Sequence, residues 1–243
     1  MPHKKKTEEP EKQEKEGIIN WYEKMPKSLL KTPDNPNFHL HQLKTPFRMC
    51  VVAPSGTGKT NWLINLIHLF SKGNTGTFQS LTIITRNKDE PLYNFLQTKS
   101  DQIIIKEGLE NTPQLDKFDK DYQHLVVFDD LILSKNLSIV ENFYIRARKM
   151  NVSVIFLSQS FYRIPTMIRA NCSYMIILKL GGNRELNMIL STFGLGVNKE
   201  QLLNMYDYAT KEKFSALLID MEQSPDKRFR KNFLEILDPV EYI

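Results

Sequence analysis

The sequence predicts an α/β fold: a mostly parallel central sheet with helices on both faces, of the additional-strand (RecA-like) type of P-loop domain. Three observations predict it. Short apolar runs such as Leu125–Phe128 and Val154–Leu157 lack the alternation of a half-exposed strand and suit strands buried on both faces. These runs alternate with stretches of helical length. Between the run Met49–Val52 and the helical stretch from Asn61 lies Ala53-Pro54-Ser55-Gly56-Thr57-Gly58-Lys59-Thr60, the strand, glycine-containing loop and helix order of a phosphate-binding loop.

Met1–Gly17 carries five Lys and five Glu with almost no apolar residue, which cannot offset the entropy of ordering, so residues 1–17 read as a disordered tail. Residues 18–44 read as an N-terminal arm. Its first part is weakly amphipathic, with Trp21, Tyr22 and Leu29; prolines at 33, 36 and 46 then mark extended chain, in which His39 and His41 alternate as in a strand. The P-loop domain is expected over 45–243. After the loop and its helix, glycines 73 and 76 close that helix and Leu81–Thr85 reads as the next strand. A short helix near Leu92–Leu96, a short strand over Gln102–Lys106 and a polar connection over Asn111–Asp121 follow. Next come a strand ending in acids, His124–Asp130, a helix over Ser138–Lys149, and two apolar strands, Val152–Gln159 and Tyr174–Leu180. Beyond Gly181-Gly182 the pattern predicts helices over Arg184–Thr192 and Lys199–Thr210 and a strand over Phe214–Met221. In Asp226–Phe233 aromatics alternate with cations, which reads either as an edge hairpin contacting phosphates or, the favoured reading, as an exposed edge strand guarded by charge.

The chain has 243 residues, 41% of them hydrophobic, enough for one sizeable core. No apolar run reaches bilayer-spanning length and the N-terminus is charged, so neither a membrane span nor a secretory signal is expected, and the protein reads as soluble and not secreted. Cys50 and Cys172 lie far apart, form no metal-spaced pair and read as small buried apolar residues of a reducing compartment. The net charge of +5 falls outside the neutral tail, and a mildly basic core permits an anionic partner such as nucleic acid.

The loop carries the first candidate site. Glycines 56 and 58 let backbone N–H groups turn inward around a phosphate, and the helix that starts near Gly58 adds the positive end of its dipole. Residues Pro54, Ser55, Gly56, Thr57, Gly58, Lys59 and Thr60 form the nucleotide cradle, in which Lys59 reaches the β and γ phosphates and the Thr60 hydroxyl ligates Mg²⁺. Ala53 stands where such loops usually start with glycine. The acidic strand supplies Asp129 as a second holder of Mg²⁺ and Asp130 to orient or deprotonate the attacking water. A strand lying between the acidic strand and the loop strand would place Gln159 beside the γ-phosphate, where its amide donates to phosphate and accepts from water.

Ala53–Thr60, His124–Asp130, Val152–Gln159 and Ile164–Asn171 together resemble the genome-packaging ATPases of the FtsK–HerA superfamily, in the compact form of poxviruses, other large DNA viruses, virophages and Maverick-type elements. The resemblance spans about residues 45 to 180. It implies an ATP-driven, Mg²⁺-dependent homo-oligomeric ring that moves double-stranded DNA into a preformed capsid, contacts capsid vertex proteins, and acts in the virion or the host-cell cytoplasm. It also implies an arginine acting on the neighbouring subunit's nucleotide, for which Arg146 and Arg148 are favoured and Arg169 is a third candidate. Many related ATPases carry Glu where this chain has Asp130. Two other readings share the loop: a P-loop kinase, and a nucleotide-binding assembly protein that translocates nothing.

Overall fold

The computed structural model describes residues 18–26, 34–73, 75–131 and 136–242. The expected tail, 1–17, and part of the expected arm lie outside these residues. Two compact units divide the chain at residues 32 and 33. In the first, α1 (Trp21–Lys24) is a single helical turn with no buried residue, capped by the Asn20 side chain, which accepts from the Tyr22 N–H. The second unit holds everything described below.

Its first element, α2 (Phe38–His41), is a helical turn rather than the strand that the alternation of His39 and His41 predicted. The reason is tertiary: Asn37 Nδ2 donates to the carbonyls of Phe70 (3.0 Å) and Lys72 (2.9 Å), and His41 is fully buried with its ring 3.9 Å from that of Phe70. Residues 34–44 thus fold with the second unit.

β1 (Arg48–Val52), α3 (Lys59–Phe70), β2 (Ser80–Thr85), α4 (Pro91–Gln97), β3 (Ile103–Glu107) and β4 (His124–Asp129) follow. Then come α5 (Ser138–Arg146), β5 (Val152–Ser158), α6 (Thr166–Ala170), β6 (Tyr174–Ile177), α7 (Asn183–Phe193), α8 (Lys199–Ala209), β7 (Leu217–Asp220), β8 (Phe229–Lys231) and β9 (Glu235–Ile236). The nine strands form one sheet in the order β3-β2-β4-β5-β1-β6-β7-β8-β9. The first six in that order are parallel and the last three pair antiparallel.

Both faces are covered, as the unbroken apolar runs require. On one face Met49 and Val51, with Leu125 and Val127, pack with Leu63, Leu66 and Phe70 of α3 and Tyr93 and Leu96 of α4. On the other, Cys50 and Val52, with Val126 and Phe128, pack with Phe143 of α5, Ile189 of α7 and Met205 of α8. Alternate residues of one strand therefore serve opposite cores. This fixes register, because a one-residue slip would exchange the two sets.

The two cysteines are free, as expected, and one further expectation needs correction. Cys50 and Cys172, 122 positions apart, have their Sγ atoms 2.9 Å from each other, because β6 lies beside β1. Burial, the first cause, and the Cys50 side chain push the Cys172 thiol well above its usual pKa. The basic segment is the one that differs, being no exposed guarded edge: Arg230 is 2% exposed and Phe229 fully buried. Arg230 Nη2 meets Asp220 Oδ2 at 3.0 Å, and its Nη1 donates to the carbonyls of His41 (3.3 Å) and Phe233 (2.9 Å). A buried cation requires this satisfaction, and the pairing ties α2 to the antiparallel end of the sheet.

Candidate nucleotide-binding site

β1 hands its chain to the loop through Ala53, fully buried, whose N–H donates to the Ser158 carbonyl at 3.0 Å. A methyl group fits where glycine is usual. Pro54 O accepts from both the backbone N–H (3.3 Å) and the hydroxyl (2.7 Å) of Thr57, which tightens the turn. Gly58 has φ +97°, a left-handed conformation that side chains resist, and a Cβ there would lie 2.1 Å from Phe214 Cδ1. Gly58 is the N-cap of α3 and offers no side-chain cap, so the first N–H groups of this twelve-residue helix remain for an anion.

The sheet order puts β5 between β1 and β4, so the C-terminal ends of all three strands meet at the loop. Lys59 Nζ lies 3.0 Å from Asp129 Oδ1, with the two side chains 11% and 9% exposed. The other carboxylate oxygen, Oδ2, accepts a 2.7 Å hydrogen bond from the hydroxyl of Tyr93, which is fully buried on α4. Burial first, then the Asp129 charge and its hydrogen bond, raise the Tyr93 hydroxyl well above its usual pKa; Thr60, also within hydrogen-bonding reach, opposes this. Tyr93 therefore remains a donor.

Asp130 has φ +54°. Consecutive residues of an extended strand point to opposite faces, and this left-handed turn, which Asp tolerates, is what brings both carboxylates into one cavity. There Gln159 Nε2 donates to Asp130 Oδ1 at 2.9 Å. The cavity, of 600 Å³, is lined by the loop residues Pro54, Ser55, Gly56, Gly58, Lys59 and Thr60 together with Asp129, Asp130 and Gln159. Beyond Gln159 the chain is anchored: Glu185 Oε1, in the first turn of α7, accepts from the Ser160 hydroxyl (2.9 Å) and the Phe161 N–H (2.5 Å).

Arg146 and Arg148 are not brought to this cavity. Both are exposed and precede β5, whereas the cavity lies past its C-terminal end; seven strand residues separate the two edges, roughly 23 Å. Arg169 is half-buried on α6 with its guanidinium 4.8 Å from the Phe161 ring. Exposed Arg163 lies four residues past Gln159, on the chain between β5 and α6. Sequence reasoning did not single out Tyr93, Glu90, Thr85 or Phe214, although Glu90, Thr85 and Phe214 line the cavity. A tyrosine three residues into a short helix reads as core. Only the pairing of β2 with β4, Thr85 opposite Asp129, shows that the chain leaving β2 passes over the acidic strand end.

A phosphate loop after β1, a carboxylate-ended β4 and an inserted β5 ending in a polar amide define the additional-strand class of P-loop NTPase folds. Within it, this chain belongs to the family of the Poxvirus A32 protein, whose model matches residues 36–224. It is 28% identical over 191 residues to the DNA packaging protein OPG160 of vaccinia virus (strain Copenhagen), covering 73% of this chain and 70% of that protein. To the variola virus protein of the same name it is 27% identical over the same length. Among solved structures it resembles the genome packaging NTPase B204 of Sulfolobus turreted icosahedral virus 2 in complex with AMP, with a TM-score of 0.55 at 13% identity, over 80% of this chain and all of that one. The cytoplasmic domain of the Thermomonospora curvata type VII secretion ATPase EccC gives a TM-score of 0.50 at 13% identity, over 74% of this chain and 24% of that one. At these identities the likeness is one of fold. Among the described residues no helix is long and apolar enough to cross a membrane.

Proposed function

We propose that this chain is an ATPase that works as a homo-oligomeric ring and drives double-stranded DNA into a viral capsid, meeting proteins of the capsid vertex, in the virion or the host-cell cytoplasm. The observation that carries the reading is the convergence of Lys59, Thr60, Asp129 and the Asp130–Gln159 pair on one cavity at the sheet's C-terminal edge. Membership of a family whose relatives are named DNA packaging proteins supports the destination of the work.

Lys59 turns from Asp129 to the β and γ phosphates and neutralises their charge. The backbone N–H groups of the loop and of the first turn of α3 hold the same oxygens. Thr60 and Asp129 are all-oxygen donors of the kind Mg²⁺ takes, and Asp129 Oδ1, paired with Lys59 Nζ at 3.0 Å, would be released for it or for one of its waters once Lys59 turns to the phosphates. Thr60 and Asp129 would hold Mg²⁺ jointly with the nucleotide, and the cation would offset the charge on the phosphate oxygens. Asp130 accepts the proton of the water that attacks the γ-phosphorus as the bond to the β-phosphate oxygen breaks, leaving ADP and phosphate. Gln159, already bonded to Asp130, holds that carboxylate and the water in line.

The test is ATP turnover of an oligomeric fraction with and without duplex DNA. Turnover stimulated by duplex is expected. A phosphorylated acceptor instead of free phosphate would mark a kinase. ATP-dependent assembly with no turnover would mark a nucleotide-binding assembly protein.

A further inference from the structure

The turn between α8 and β7 carries a feature that folding alone does not explain. Phe214 has φ +70°, a conformation that bulky residues resist, and the residue is 41% exposed. The turn that holds it is firmly built: Ser215 N–H donates to the Glu212 carbonyl at 3.2 Å, and the buried Ala216 N–H donates to Asn232 Oδ1 at 3.0 Å. The Cδ1–Cε1 edge of the ring lies against Gly58 of the phosphate loop, and Lys213 Nζ is 4.9 Å from the ring centroid. A glycine at 214 would adopt this backbone without strain, and an exposed phenyl ring gains nothing from water. An aromatic face aimed at a ligand is what the position supplies.

The direction of the ligand follows from the sheet. Asp129, Asp130 and Gln159 lie on the β4–β5 side of β1, so the γ end of a triphosphate points that way. The nucleoside must then leave the loop on the opposite side, over β6 and β7. There a second cavity of 540 Å³ opens, lined by Gly56, Thr57, Lys179, Asp207, Lys211 and Phe214, and it shares Gly56 and Phe214 with the phosphate cavity.

Resting on the reading of the phosphate loop as a nucleotide site, we propose that the Phe214 ring is the platform on which the nucleobase stacks. The α8–β7 turn then forms the base pocket, and purines are preferred because their larger π-face covers more of the ring. Base–aromatic stacking of this kind changes affinity by about 5- to 150-fold.

The full-length chain is titrated with Mg·ATPγS, with Mg·CTP and with inorganic tripolyphosphate plus Mg²⁺, which has the phosphates and no base. Phe214→Ala is expected to weaken ATPγS at least about tenfold, to leave tripolyphosphate within about twofold, and to abolish the preference for purine over pyrimidine. Phe214→Trp is expected to retain ATPγS binding and to show emission quenched by ATPγS and not by tripolyphosphate, with the parent chain, which contains Trp21 and Trp62, as the blank. Equal loss of both ligands in Phe214→Ala would make the ring a structural prop of Gly58 and overturn the assignment, as would no loss of either. Should the Ala variant fail to fold, a Trp variant that binds ATPγS with no base-dependent quenching overturns it equally. A parent chain that binds neither ATPγS nor tripolyphosphate refutes the nucleotide site itself.

Discussion

Replacing Asp129 by Asn separates two jobs that one carboxylate performs, and their effects have opposite signs. Asp129 Oδ1 pairs with Lys59 Nζ at 3.0 Å, both side chains about nine-tenths covered. Any nucleotide must take Lys59 away from this partner. At an effective dielectric of about 20 the gross attraction at this distance is about 5 kcal/mol. Desolvation cancels most of it, leaving a net contribution of about 1.5 kcal/mol. Asn at 129 keeps an acceptor for the Tyr93 hydroxyl and removes the competitor for Lys59. Nucleotide in the presence of a chelator should therefore bind about tenfold more tightly to Asp129→Asn than to the parent chain. With Mg²⁺ present the order reverses, because the variant lacks the anionic oxygen that the cation uses. Titration of a fluorescent ADP analogue, with EDTA and with excess Mg²⁺, reads both arms. A variant that binds more weakly in EDTA would refute the competition between carboxylate and phosphate for Lys59. An unaltered Mg²⁺ effect would refute Asp129 as a holder of the cation.

Asp130→Asn should spare Mg·ATP binding and slow single-turnover hydrolysis by roughly two to four orders of magnitude, the scale of a positioned general base. Behaviour identical to that of Asp129→Asn would dissolve their division of labour. Tyr93→Phe should lower stability to urea by about 1.5 to 3 kcal/mol, since a buried carboxylate loses its donor, and by less in the Asp129→Asn background; equal costs in the two backgrounds would remove the coupling. If Arg146 or Arg148 acts on the neighbouring subunit's nucleotide, an Arg→Ala chain should bind ATP yet hydrolyse it poorly, and co-assembly with Lys59→Ala should restore turnover. If only Arg163→Ala shows this pattern, the role moves to the chain just past Gln159. His41 gives a pH dependence: burial first, then Arg230 and His39, lower its pKa from 6.5 to about 4. The unfolded chain takes up this proton first as pH falls, so the contribution is complete above pH 6.5 and is lost between 6.5 and about 4, in total about 3 kcal/mol. Urea midpoints at pH 7 and 4.5 should show this drop, and His41→Asn should flatten it.

The elements that were legible in the sequence are those whose cause is local. The loop is read from residues 53–60 because a phosphate cradle needs small residues and a lysine in fixed order. Five of the six parallel strands are read from apolar runs that no exposed strand would carry, and the edge strand β3 from its short isoleucine run. Gln159 was legible only through strand order, which the spacing of the acidic strand and the strand after it implied and β5 supplies. What remained hidden depends on partners distant in the chain. His41 looked like a strand residue until Phe70 and Asn37 are placed around it. Arg230 looked like a solvated edge charge because its carboxylate, Asp220, belongs to a neighbouring strand. Phe214 was read as the start of a strand that begins three residues later, at Leu217. Its left-handed backbone has no marker in composition, since glycine, the residue that would announce such a turn, is not there.

Glu185 has a mechanical consequence. One carboxylate oxygen grips both the hydroxyl of Ser160 and the N–H of Phe161, and the Ser158 hydroxyl donates to the Ser160 carbonyl at 2.8 Å, so the joint next to Gln159 has little slack. A displacement of the Gln159 amide is not absorbed by a soft loop. It is delivered to the first turn of α7, an eleven-residue rod about 16 Å long seated on the sheet through Leu186, Ile189, Leu190 and Phe193. On the proposed reading, in which a terminal phosphate lies beside Gln159, the first turn of α7 is where a movement of that amide would be handed on, away from the nucleotide.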